Sequence, residues 1–173
     1  MASADEPPAP ESEVSVSLTL NGSEVTRTVE AGTLLSTFLR EGEFLTSVHR
    51  GCESTRCGAC TVLLDGDPVK SCNVLAVRAD GKELTTVEGL ADDDGSLHPV
   101  QQSFWDTHGL QCGYCTPGMV LNAVSLLEET DDPSVNEIRE RISGNICRCT
   151  GYTKIVESVK NAAADTDTDT GKK

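Results

Sequence analysis

The residues most able to do chemistry in this chain of 173 are its eight cysteines, and their spacing sorts them into two quartets. The first is Cys52-x4-Cys57-x2-Cys60-x11-Cys72. A C-x4-C-x2-C run with a later fourth cysteine is the plant-type [2Fe–2S] spacing. Two irons bridged by two sulfides need four thiolates, so three come from one tight loop and the fourth from an adjacent strand. Glycines at Gly51 and Gly58 let backbone N–H groups approach the sulfurs. The second quartet is Cys112-x2-Cys115-x31-Cys147-x1-Cys149. Each of its pairs sits where a loop runs into a helix, so four sulfurs can converge between two positive helix ends, which suit a net negative cluster. Zinc competes for both quartets, because paired CxxC motifs and four-thiolate tetrahedral sites are common for that ion. Against zinc, C-x4-C-x2-C and C-x-C are unusual spacings for it, and the iron–sulfur sorting leaves no cysteine over. Disulfides fit poorly. Cysteine at about 5% falls below the 8–10% of disulfide scaffolds, and eight thiols without an export signal point to a reducing, cytoplasmic compartment.

Charge and composition exclude other classes. Fourteen Lys and Arg against 28 Asp and Glu leave a formal charge of −14. A nucleic-acid backbone would be repelled. So large a carboxylate surplus points to a high-salt, halophilic cytoplasm, where salt screens it. No apolar run is long enough to span a membrane. The start, Met1 to Pro8, has neither the basic nor the apolar part of a secretory signal. No G-x-G-x-x-G follows a strand and no nucleophile–base pair is apparent, so no catalytic residue is assigned and substrate chemistry is expected on another chain. Histidines His49, His98 and His108 are not needed as ligands. Phe104, Trp105 and Met119 read as packing residues.

The elements that must carry the sulfurs change period near residue 88. Val14, Val16, Leu18 and Leu20 alternate with polar residues as a half-buried strand. Asn21-Gly22 is a hairpin turn returning through Val25 to Val29. Thr33 is placed to cap a short helix holding Leu34, Leu35, Phe38 and Leu39. Strands follow at Thr61 to Leu64, after an Asp65-Gly66 turn near Val69, at Leu75–Val77 and at Leu84–Val87. Strands folded over one helix make an α+β unit. The second half reads as a small bundle of four helices. They are Pro99 to Asp106, one opened by a capping Thr116 before Pro117, one opened by the capping box Ser134-Val135-Asn136-Glu137 and stopped at Gly144, and one starting near Thr150. The expected division is an acidic tail over 1–13, a ferredoxin-type unit over 14–88, a helical unit over 89–162 and a tail over 163–173, both tails disordered.

Four stretches carry a family resemblance: Gly51-Cys52, Cys57 to Val62, Gln111 to Gly118, and Gly144 to Tyr152. Together they resemble the small iron–sulfur subunit of the molybdenum hydroxylases, the family of xanthine dehydrogenase, aldehyde oxidoreductase and aerobic carbon monoxide dehydrogenase. The resemblance covers roughly residues 14–160. It implies a β-grasp ferredoxin-like domain followed by a four-helix domain, holding two [2Fe–2S] clusters. It also implies two partners, a large subunit with molybdopterin and a medium subunit with FAD, between which this chain conducts electrons. By the same resemblance Gln111 and Cys149 contact the pterin. A zinc-stabilised interaction module and a freestanding ferredoxin-like carrier are the alternatives. The chain departs from the family at Glu53-Ser54-Thr55-Arg56, where glycines are usual, which bears on the loop's backbone path and on cluster potential.

Overall fold

The computed structural model describes residues 13–92 and 94–169, with side chains described through Asp165. The N-terminal half is a mixed five-stranded sheet over one short helix. Its strands are β1 (Glu13–Leu20), β2 (Ser23–Glu30), β3 (Thr61–Leu64), β4 (Asp67–Lys70) and β5 (Glu83–Thr85), in the order β2-β1-β5-β3-β4. The alternation in β1 sends Val16, Leu18 and Leu20 inward. The β1–β2 hairpin turns at Asn21 and Gly22, with φ of 49° and 78°, and β3–β4 turns at Asp65 and Gly66 with φ of 53° and 85°. Two successive left-handed residues match the twist of paired strands. β5 runs parallel to β1 and antiparallel to β3, closing the sheet between the two hairpins.

The short helix α1 (Leu35–Thr37) runs on into a wide turn over Phe38–Gly42. Leu35, Phe38 and Leu39 pack it against the sheet. Thr33 does not cap it. Leu34 holds the cap position without a side-chain bond, and the Leu35 N–H donates to the Val74 carbonyl at 2.7 Å instead. Leu75–Val77 is likewise not a strand, because Ala76–Ala79 forms a 3-10 turn whose fully buried Ala76 and Ala79 share one face. Leu84 lies in β5, but Val87 opens a further 3-10 turn, Val87–Leu90.

The C-terminal half is four helices, α2 (Pro99–Asp106), α3 (Thr116–Glu129), α4 (Val135–Ile142) and α5 (Thr153–Asp169). Their core joins Phe104, Met119, Leu121, Ile138, Ile155 and Val159, and Leu63 of β3 reaches into it. The expected capping box at Ser134 is present. Its Ser134 N–H donates to Glu137 Oε2 at 2.7 Å, and the Glu137 N–H to Ser134 Oγ at 3.3 Å. Thr116 is inside α3, not its cap; Cys115 takes that position. α5 starts at Thr153 rather than Thr150, because Gly151 and Tyr152 hold left-handed φ of 65° and 68° and interrupt a right-handed helix. It also continues beyond 162. Ala162 and Ala163 are buried, and α5 runs to Asp169 where a disordered tail is expected over 163–173. Glu13 already belongs to β1, whereas residues 1–12 and 170–173 of the two expected tails lie outside the described residues. No helix among the described residues is long and apolar enough to cross a membrane.

Candidate iron–sulfur centres

The first quartet is built on the loop between α1 and β3. Cys52 Sγ accepts hydrogen bonds from the backbone N–H groups of Ser54 at 3.4 Å and Cys57 at 3.3 Å. To wrap the sulfur in this way the backbone turns left-handed at Glu53 (φ 49°), Thr55 (φ 65°) and Gly58 (φ 72°). The glycine-poor stretch thus takes a glycine-like path with ordinary residues, at about 1–2 kcal/mol of strain per non-glycine position. Arg50 steadies it, pairing with Glu53 at 3.4 Å and Glu41 at 2.7 Å and donating to Thr37 Oγ1 at 3.1 Å. Hydrogen bonding from the Ser54 side chain, and then from the Ser54 and Cys57 backbone, lowers the exposed Cys52 thiol to about 6.

Cys60 and Cys72 face each other because β3 and β4 pair in the register Thr61↔Lys70. Ser71 locks that juncture, its N–H and hydroxyl both donating to the Cys60 carbonyl at 3.2 and 2.7 Å. Cys72 sits in the 3-10 turn just after β4, not in a strand. Burial pushes the Cys60 thiol up to about 11, against a lowering hydrogen bond from the Cys72 backbone.

The second quartet joins the loop before α3 to the loop between α4 and α5. Cys112 and Cys149 bring their sulfurs to 3.5 Å, both exposed, while Cys115 and Cys147 meet in the interior. Burial, and then the neighbouring Cys147 and Cys112, push Cys115 up to about 12. Burial also works upward on Cys147, but hydrogen bonds from the Thr150 hydroxyl and nearby backbone outweigh it and hold that thiol below its ordinary value. The Cys147 N–H donates to Tyr152 Oη at 2.9 Å, fixing the loop. Cys149 is raised, chiefly by its hydrogen bond with Cys112. The positive end of α3 lies at Cys115 and favours thiolate there.

All eight cysteines are free thiols. Among the described residues no three His, Cys, Asp or Glu gather closely enough to enclose a single ion. The cysteines interact in twos: Cys52 with Cys57, Cys60 with Cys72, Cys112 with Cys149, and Cys115 with Cys147. Thiolates in twos are the donor set a two-iron cluster requires, two per iron, so the residues fit the group.

The two loops also touch each other. The Ile146 N–H, one residue before Cys147, donates to the Cys57 carbonyl at 2.8 Å. His49 and Tyr114 stack with centroids 4.4 Å apart, the His49 ring bonds the Tyr114 carbonyl at 2.8 Å, and Tyr114 Oη donates to the Arg50 carbonyl at 3.0 Å. Sequence reasoning set His49 aside as a ligand and gave Tyr114 and Ile146 no role in joining the loops. The partners in the first pair stand 65 residues apart, and no local pattern announces such contacts. Gln111 is exposed and precedes Cys112 in the chain.

Fold and sites together define a protein with two binuclear iron–sulfur centres, one in a ferredoxin-like sheet unit and one in a helical unit. Residues 18–91 match the 2Fe-2S iron-sulfur cluster binding domain, and residues 86–160 the [2Fe-2S] binding domain. The caffeine dehydrogenase subunit gamma of Pseudomonas sp. (strain CBB1) is 48% identical over 155 residues, covering 88% of this chain and 92% of that one. The nicotine 6-hydroxylase small subunit of Paenarthrobacter nicotinovorans is 45% identical over 155 residues, covering 90% and 93%. The solved quinoline 2-oxidoreductase of Pseudomonas putida 86 superposes with a TM-score of 0.86 at 43% identity, over 92% of this chain and 98% of that one. The chain belongs to the iron–sulfur subunit family of the molybdenum hydroxylases, as an electron-transfer subunit of an oxidoreductase with two [2Fe–2S] domains.

Proposed function

We propose that this chain conducts electrons from a molybdopterin-bearing large subunit to an FAD-bearing medium subunit. In this reading Cys52, Cys57, Cys60 and Cys72 hold the first [2Fe–2S] cluster of the ferredoxin-like unit, over 14–88. Cys112, Cys115, Cys147 and Cys149 hold the second in the helical unit, over 89–162. Each cluster, when bound, stores one electron, so a two-electron oxidation on the large subunit drains in two single steps. The protein's own part is to fix the donors, exclude water from the buried sulfurs and tune potential through N–H···S bonds.

The observation that carries this reading is the 2.8 Å bond from the Ile146 N–H to the Cys57 carbonyl, which joins the two cysteine loops directly. Gln111 and Cys149 are both exposed, and in this reading they meet the pterin of the partner, with which substrate choice rests. The carboxylate surplus suits a cytoplasm of high salt, and a fold that survives dilute buffer contradicts that part.

Purification under gentle conditions tests the assembly. Two larger chains are expected to accompany this one, one with molybdenum and one with flavin. Gln111→Ala should leave both clusters in place and disturb only the coupling to molybdenum. Isolation of the chain alone, with both clusters and no larger partner, identifies a freestanding carrier instead.

A further inference from the structure

Asn145 stands where the two cysteine loops meet, and only 2% of it is exposed. Two glycines enclose its amide. A Cβ on Gly58 would fall 2.1 Å from Asn145 Oδ1 and 2.5 Å from the Gly144 carbonyl oxygen. One on Gly118, in the first turn of α3, would fall 2.6 Å from Asn145 Nδ2 and 2.5 Å from the Gly58 carbonyl oxygen. The backbone is fastened on both sides as well. The Asn145 N–H donates to the Ile142 carbonyl at 2.9 Å, and the next N–H, of Ile146, to Cys57. Thr61 Oγ1 donates to the Gly58 carbonyl at 2.7 Å and lies 3.5 Å from Asn145 Oδ1.

Among the described residues Asn145 Nδ2 has no hydrogen-bond partner. A buried donor without an acceptor is a liability to stability, so hydrogen bonding does not account for an amide here. Shape does. A flat group slides between two backbones that no larger neighbour could approach. Each layer of the sandwich is close in sequence to a sulfur: Gly58 follows Cys57, Asn145 is two residues before Cys147, and Gly118 is three after Cys115. Movement at the sandwich therefore moves ligands of both quartets.

We infer that Asn145 is a positioning residue, a spacer that sets the separation and mutual orientation of the two cluster sites. The inference rests on the reading of both quartets as cluster sites. Electron hopping weakens steeply with distance, so a spacer held by close packing on both faces keeps the step between them fast and uniform.

The test uses the assembled complex and two variants, Asn145→Ala and Gly118→Ala. The readouts are iron content, the magnetic splitting between the two clusters when both are reduced, and the rate of electron passage between them. Both variants are expected to keep their iron, lose part of the splitting and pass electrons several-fold more slowly. Gly118→Ala is the sharper case, since alanine is the better helix former and local reasoning expects a gain. The sandwich predicts the reverse, because the added methyl drives Gly58 and Asn145 away. Ile138→Val, a core change in α4, serves as control and should leave the splitting intact. Unchanged splitting in Asn145→Ala overturns the spacer role, and so does loss of a whole cluster, which marks an assembly role instead. Should Gly118→Ala fail to fold, Asn145→Ala alone decides. Absence of both clusters from the unaltered protein contradicts the underlying functional reading, which separates the two failures.

Discussion

Cys52 and Cys149 are both exposed, yet their surroundings pull them in opposite directions. The Ser54 side chain and two backbone N–H donors stabilise a thiolate at Cys52, whereas the hydrogen bond with Cys112 keeps Cys149 protonated. A thiol near 6 is mostly thiolate at neutral pH, and the thiolate is the nucleophile. In the metal-free chain at pH 7, iodoacetamide should therefore modify Cys52 first, Cys149 later, and Cys60 and Cys115 last. Timed alkylation followed by peptide mass analysis gives the order, and Cys149 reacting as fast as Cys52 contradicts it. The cysteines could be sorted into two groups from sequence because C-x4-C-x2-C, C-x2-C and C-x-C are local spacings. Which sulfur faces which was not, since Cys112 and Cys149 are 37 residues apart and meet only through the packing of three helices. The Glu53–Arg56 stretch shows the same limit. Its missing glycines were visible, but the left-handed path kept by Glu53 and Thr55, and the Arg50 clamp on it, were not.

Among the elements, α2 depends on a histidine cap. The Val100 N–H donates to His98 Nδ1 at 3.2 Å and the His98 N–H donates to Gln101 Oε1 at 3.0 Å. Burial holds His98 below its ordinary value, against an upward pull from Glu128 and Asp92. The neutral ring is thus the folded form, and only the neutral ring can accept from Val100. A basic group depressed in the folded state contributes stability above its unfolded value, about 6.5, and loses it as pH falls. Thermal unfolding of the metal-free chain should show α2 weakening between pH 7.5 and 5.5. His98→Asn, which retains an acceptor, should flatten that dependence, and His98→Ala should cost about 1 kcal/mol at pH 7.5. An unchanged pH profile in His98→Asn contradicts the cap's role. Helix caps were only partly legible. The box at Ser134 has its Glu137 partner and formed, but Thr33 and Thr116, which carry Ser36 and Met119 at that position, do not cap. At Thr33 the Val74 carbonyl takes the Leu35 N–H instead, and at Thr116 the helix has already begun, with Cys115 in the cap position.

For the whole molecule, the switch of period near residue 88 made the order of a sheet unit and a helical unit readable. The seam between them was not, because it joins residues far apart in sequence: the Cys57 carbonyl with Ile146, Gly58 and Gly118 with Asn145 between, and His49 stacked on Tyr114. Glycine in a sequence marks freedom of the chain, and only the fold shows which glycines make room for a neighbour. In the proposed reading, that seam joins two cysteine sites into one conductor. Iron and acid-labile sulfide, quantified on protein purified without air, test this most directly. Two [2Fe–2S] sites require about four of each per chain and a red-brown colour. A pale protein with markedly less iron, or with zinc in its place, contradicts the account.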